Sequence, residues 1–131
     1  MTQSLVRQIT DRLVSEFADI QAIYVYGSVA AGTEGSDSDL DIGLLLPAIP
    51  AKRLEPLSLL DVKIDLERIA GRTVDLVNLR RTSVVLQKEV IATGTRVYTG
   101  DEYAAEVYEM LVLSLYGKLN EERAEILADF A

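Results

Sequence analysis

Three aspartates stand where apolar strands are expected. Asp39 and Asp41 sit two residues apart at the entrance to LDIGLLL, and Asp75 interrupts TVDLVNL. Side chains two apart on a strand point to one side, about 6.6 Å apart along the chain. Bare carboxylates so placed repel, and the repulsion grows as water is withdrawn. A hard divalent cation turns it into attraction. Mg²⁺ takes oxygen ligands, one or two of them protein carboxylates, and fills its shell with water and substrate phosphates. Three carboxylates around two such ions serve in-line displacement at phosphorus. One ion lowers the pKa of an attacking hydroxyl; the other holds a triphosphate and neutralises the leaving pyrophosphate. The same SDSD stretch also suits plain turn and capping chemistry, so the segment upstream bears on the choice.

That segment is Gly27-Ser28, directly after the strand-like IYVY. Glycine lets the backbone turn sharply and approach a ligand closely. Ser28 offers a hydroxyl and an N–H to a phosphate at the start of a short helix. An ordinary strand-to-helix turn capped by Ser28 is the plainer alternative.

Composition narrows the chemistry. There is no histidine and no cysteine, which removes the commonest general base, disulfides and thiolate metal sites. What remains is carboxylate, hydroxyl, lysine, arginine or hard-cation chemistry. The net charge of −8 opposes non-specific binding to phosphate backbones and suits a basic protein or a metal. The 131 residues, 49% of them hydrophobic, suit one domain over residues 1–131. No apolar run is long enough to span a membrane, and MTQSLVRQITDRLVSEF is no secretion signal. A cytoplasmic location is expected.

The elements that must position these groups can be read from periodicity. Leu5, Ile9, Leu13, Val14 and Phe17 predict an amphipathic helix over 3–18. Residues 20–26 read as a strand, 27–38 as a connector with one helical turn around Val29 to Ala31, and 39–46 as a strand with Leu40, Ile42 and Leu44 on its core side. A loop marked by Pro47, Pro50 and Pro56 leads to a helix over 57–69 closed by Gly71. A strand over 73–79, a helix over 83–93 ended by Gly94, and a strand over 95–99 follow. A long helix then begins at Asp101 as N-cap. This alternation predicts an α+β fold with α/β-type order: a small mixed sheet of about four strands flanked by helices.

Gly27-Ser28, ten residues, then Asp39-Leu40-Asp41 is similar to the G-S-x10-D-x-D pattern of the DNA polymerase β-like nucleotidyltransferase superfamily. Asp75 on its apolar strand resembles that superfamily's third carboxylate, and the chain resembles the minimal nucleotidyltransferases, or MNT-domain proteins, over roughly residues 5 to 100. The resemblance implies the polymerase β-like fold with a long C-terminal helix. It implies that Gly27 and Ser28 hold the triphosphate of ATP, that Asp39 and Asp41 bind two Mg²⁺ ions, and that Asp75 completes the site. The chain departs from the pattern in one place. Many relatives carry arginine or lysine just after Gly-Ser, where this chain has Val29 and Ala31, with Glu34 and Asp37 beyond. Lys52, Arg53, Arg72, Arg80 and Arg81 are the candidates to supply that charge from other loops.

MNT proteins are typically paired with a HEPN-domain ribonuclease toxin. The resemblance therefore implies an antitoxin that moves AMP from ATP to a tyrosine hydroxyl of that partner. Two other readings stay open: a small-molecule nucleotidyltransferase of the antibiotic-modifying type, and a non-catalytic relative that neutralises its partner by binding. Beyond residue 101, Val107, Tyr108, Met110, Leu111, Val112, Leu113, Leu115, Tyr116 and Leu119 cover almost every side of the last helix. Such a helix is normally buried. Part is expected on the domain's own sheet, and the rest in a homodimer or hetero-oligomer contact.

Overall fold

The structure, a computed structural model, describes residues 1–27, 39–48 and 56–129. Ser28, the helical turn expected around Val29 to Ala31, Lys52 and Arg53 lie outside the described residues.

The first helix, α1 (Gln3–Glu16), starts where the Thr2 hydroxyl accepts the Leu5 N–H at 3.1 Å. It turns Ile9 and Leu13 inward. Two antiparallel strands follow, β1 (Ala22–Tyr26) and β2 (Leu40–Leu45). Helix α2 (Pro56–Ala70) has proline at its first position, where the missing N–H costs nothing. It ends at Gly71, in the left-handed conformation at φ +68, whose N–H donates to the Glu67 carbonyl at 2.9 Å. Strand β3 (Val74–Asn78) then runs parallel to β2. A 3-10 turn, Leu79–Arg81, replaces the last strand residue expected from sequence. Helix α3 (Val84–Thr93) is capped by Ser83, strand β4 (Thr95–Thr99) pairs antiparallel with β1, and helix α4 (Glu102–Asp129) closes the series. The Asp101 carboxylate accepts the Ala104 N–H at 3.0 Å, as an N-cap should.

The sheet is mixed, in the order β3-β2-β1-β4. Alternation divides its side chains between two layers. Ile23, Val25, Leu40, Ile42, Leu44 and Val74 face α1 and α2 and join Ile9, Leu13, Val62 and Leu66 in one core. Ala22, Tyr24, Tyr26 and Leu45 face the other way, onto Val90 of α3 and Ala105, Tyr108 and Val112 of α4. The sequence suggested a half-buried β2 with one apolar side. Instead β2 is covered on both sides, and of its six residues Asp41 alone is not buried. The reason is the second helical layer, α3 and α4, whose contact with the sheet is non-local.

Candidate active site

The site is set by register. Asp41 on β2 lies opposite Tyr26 on β1 and opposite Asp75 on β3. Residues paired across a ladder share a face, so one row across three strands reads Tyr26, Asp41, Asp75. This row lies where β1 ends and β2 and β3 begin, at one edge of the layer covered by α3 and α4. Asp41 is half-buried and Asp75 is exposed. Asp39 is exposed and precedes the strand instead of opening it, since β2 begins at Leu40.

Gly27 ends β1 at φ +76, a conformation that side chains with a Cβ rarely adopt. Space demands glycine as well, because a Cβ there would overlap Oδ2 of Asp41. The turn therefore lies against the central carboxylate, and two separate constraints fix the residue.

Among the described residues, the charges that shift Asp41 and Tyr26 are all negative. The Asp41 carboxyl is raised above the usual carboxylate range, chiefly by burial, then by the negative charges of Asp75 and Asp39. Tyr26 is pushed up to about 12, by burial first, then by Asp75 and Asp41. Its phenol stays neutral at physiological pH. The ion pairs that join described residues through Arg12, Arg68 and Arg96 all lie elsewhere.

Among the described residues, no group of three acidic, histidine or cysteine side chains is already gathered into a metal cage. The donor set still fits a hard divalent ion. Two carboxylates from adjacent paired strands, oxygen donors only, with an open side for water and phosphate, are what Mg²⁺ accepts. The repulsion that lifts Asp41 is of the kind a cation relieves.

Tyr26 was not singled out by sequence reasoning. Its place on the aspartate side follows from alternation with Tyr24 only once the β1–β2 register is known. Arg80 differs from expectation in the opposite sense. Its Nε donates to the Leu46 carbonyl at 2.6 Å and its Nη2 to Gln21 Oε1 at 2.8 Å. The guanidinium also stacks 5.0 Å from the Tyr108 ring centre. Leu46 and Gln21 lie at the far end of β2 and β1, so Arg80 cannot supply charge beside Asp41. Arg81, in the same turn, is exposed at that far end. Arg72 lies two residues before β3, at the aspartate end of the sheet.

This fold belongs to a known class. Residues 7–103 match the family model described as polymerase beta, nucleotidyltransferase, and the chain belongs to that family. The match spans nearly the stretch over which the sequence resemblance was seen. Among individual proteins, the chain is 30% identical over 129 residues to the protein adenylyltransferase MntA of Shewanella oneidensis, covering 98% of this chain and 89% of that one. It superposes with a TM-score of 0.80 and 30% identity on a chain of a toxin–antitoxin crystal structure with AMP-PNP, covering 95% and 96% of the two chains. A chain from the complex of a tri-AMPylated S. oneidensis HEPN toxin with its MNT antitoxin matches with a TM-score of 0.77 and 28% identity, over 98% of each. The four-stranded mixed sheet with flanking helices and a long last helix is the fold the resemblance implied. No helix among the described residues is long and apolar enough to cross a membrane.

Proposed function

We propose that this chain is a Mg²⁺-dependent antitoxin that transfers AMP from ATP to a tyrosine hydroxyl of a HEPN toxin. The observation that carries the reading is the register pairing of Asp41 with Asp75 beneath the Gly27 turn. Likeness to a protein adenylyltransferase, and to chains solved with AMP-PNP and with an AMPylated HEPN toxin, supports the choice of donor and acceptor.

In this reading Asp39, Asp41 and Asp75 hold two Mg²⁺ ions, which when bound neutralise triphosphate charge and lower the pKa of the attacking hydroxyl. Gly27 brings backbone against the carboxylates and leaves room for the triphosphate, with Ser28 next in the chain to bind it. Asp75, exposed like Asp39, stands toward the acceptor hydroxyl. Tyr26, neutral and buried beside Asp41, walls the site from the core side. The acceptor oxygen displaces pyrophosphate from the α-phosphorus, and AMP stays on the tyrosine.

The test is transfer of label from α-³²P-ATP to a HEPN toxin in the presence of Mg²⁺. Wild type labels the toxin and Asp41→Asn does not, while circular dichroism shows both folded. Full labelling by Asp41→Asn removes the site. Labelling of an aminoglycoside without any protein acceptor would favour the small-molecule reading instead.

A further inference from the structure

Helix α4 is buried along only part of its length and on only one side. Ala105, Tyr108 and Val112 face the domain. Tyr103, Val107 and Met110, spaced by four and three residues, face the other way, since each residue turns an α-helix by about 100°. Tyr103 is 80% exposed and Met110 71%. Leu111 and Leu113 flank this stripe and are exposed too. Most of the large exposed apolar side chains among the described residues lie on this one helix. An apolar stripe of this kind marks an interaction surface.

The helix also has a direction. The Asp101 N–H donates to the Gln21 carbonyl at 3.1 Å, so α4 begins beside the start of β1. Eight residues later Glu109 accepts the Tyr24 hydroxyl at 3.1 Å. The helix therefore sets out from the start of β1 and passes over mid-strand Tyr24, while Tyr108 meets Arg80 at the Gln21–Leu46 end. From residue 120 to 129 every position is exposed, and this length of about 15 Å extends beyond the helix's buried face.

Charge selects the occupant. The exposed ionisable groups of α4 are Glu102, Glu106, Glu121, Glu122, Glu125 and Asp129 against Lys118 and Arg123. A second copy would bring one acidic rim against another. A partner with an apolar strip rimmed by arginine and lysine fits both the stripe and its border. We propose that the outer face of α4, centred on Val107, Met110 and Leu111, is the docking surface for the acceptor protein. It grips an apolar, basic-rimmed face of that protein and holds its tyrosine at the carboxylate end of the sheet. The inference rests on the reading under Proposed function and names the surface by which that reaction selects its substrate.

The experiment measures labelling of a HEPN toxin at varied toxin and varied ATP, for wild type, the double variant Val107→Glu/Met110→Glu, and Asp41→Asn. All of these changes are at exposed or half-exposed positions. The docking variant is expected to raise the KM for toxin at least tenfold and to leave the KM for ATP unchanged. A second variant, Glu121→Lys/Glu125→Lys, keeps the stripe and reverses the rim. It should raise the toxin KM several-fold at low salt, with the difference shrinking at high salt. An unchanged toxin KM in both variants overturns the docking surface while the transfer reaction stands. If Asp41→Asn labels as wild type does, the site reading falls instead, and with it the docking role. If wild type fails to label the toxin, both fall. Sedimentation of the chain alone as a dimer that Val107→Glu/Met110→Glu dissociates would also overturn the proposal, since a second copy would then own the face.

Discussion

Two acidic clusters lie on the same side of the sheet and are treated in opposite ways. Glu109 of α4 accepts the Tyr24 hydroxyl at 3.1 Å and pairs with Arg96 of β4, also at 3.1 Å. The charge is answered within the fold, and the result ties α4 to β1 and β4. Asp41, paired with Tyr26 two residues beyond Tyr24, feels among the described residues the negative charges of Asp75 and Asp39. One cluster spends its electrostatics on structure. At the sheet's edge no positive charge among the described residues answers Asp41, and a cation with a triphosphate can. Burial alone does not separate the two, since Asp41 and Glu109 are both half-buried; the sign of the neighbours does.

The largest test of this contrast is chemical. Asp41→Asn should lower the rate of AMP transfer by about 10³-fold or more, since a divalent ion at a phosphoryl centre supplies several kcal/mol. Asp75→Asn should lower it comparably. Glu109→Gln should change the rate less than about threefold, because no step uses it. Equal losses at positions 41 and 109 in the labelling assay would erase the distinction. Next comes Gly27→Ala. It forces a Cβ into an unfavourable φ and against Asp41 Oδ2, and is expected to cost about 10²-fold in rate and about 1–2 kcal/mol in stability by urea unfolding. A rate within twofold of wild type would mean that the turn need not touch the carboxylate.

Glu109→Ala reads the other cluster. It leaves the half-buried Arg96 without its partner and the Tyr24 hydroxyl without its acceptor. A loss of about 2 kcal/mol on urea unfolding is expected, and a loss under about 0.5 kcal/mol, the size of an ordinary surface change, would show the pair to be incidental. The smallest effect is one of pH. The Asp41 carboxyl is raised in the fold, so the folded protein holds that proton more tightly than the unfolded chain. Its contribution is fully present below the unfolded carboxylate pKa and is lost as pH rises through the folded value. Asp41→Asn should therefore raise the thermal midpoint at pH 7, with the gain vanishing near pH 3. A gain that is larger in acid would reverse the assignment of Asp41 as the strained member.

Much of this architecture could be read before any coordinates. The period of two in Leu40, Ile42 and Leu44, the turn glycines at 27 and 71 and the cap at Asp101 are local signals. Each depends on backbone sterics or on one nearby hydrogen bond, so each survives in the linear sequence. Element ends were less legible. Helix α1 stops at Glu16 rather than 18, and β1 starts at Ala22 rather than 20, because sheet pairing rather than propensity sets where a strand begins. Arg80 shows the limit most plainly. By type it was a candidate for binding phosphate, yet its hydrogen bonds to Leu46 and Gln21 place it at the opposite end of the sheet. Nothing near Arg80 in the chain records that direction.

The sequence by itself determined the parts: oxygen ligands without histidine or cysteine, a glycine where only glycine fits, and three aspartates in apolar surroundings. Tertiary structure alone decided which of them meet. Asp41 and Asp75 lie 34 residues apart in the chain and become neighbours only through the parallel β2–β3 register. Tyr26 joins them only through the antiparallel β1–β2 register. Side-chain type is a local property and register is not, because a shift of one residue would turn every one of these groups to the other face of the sheet.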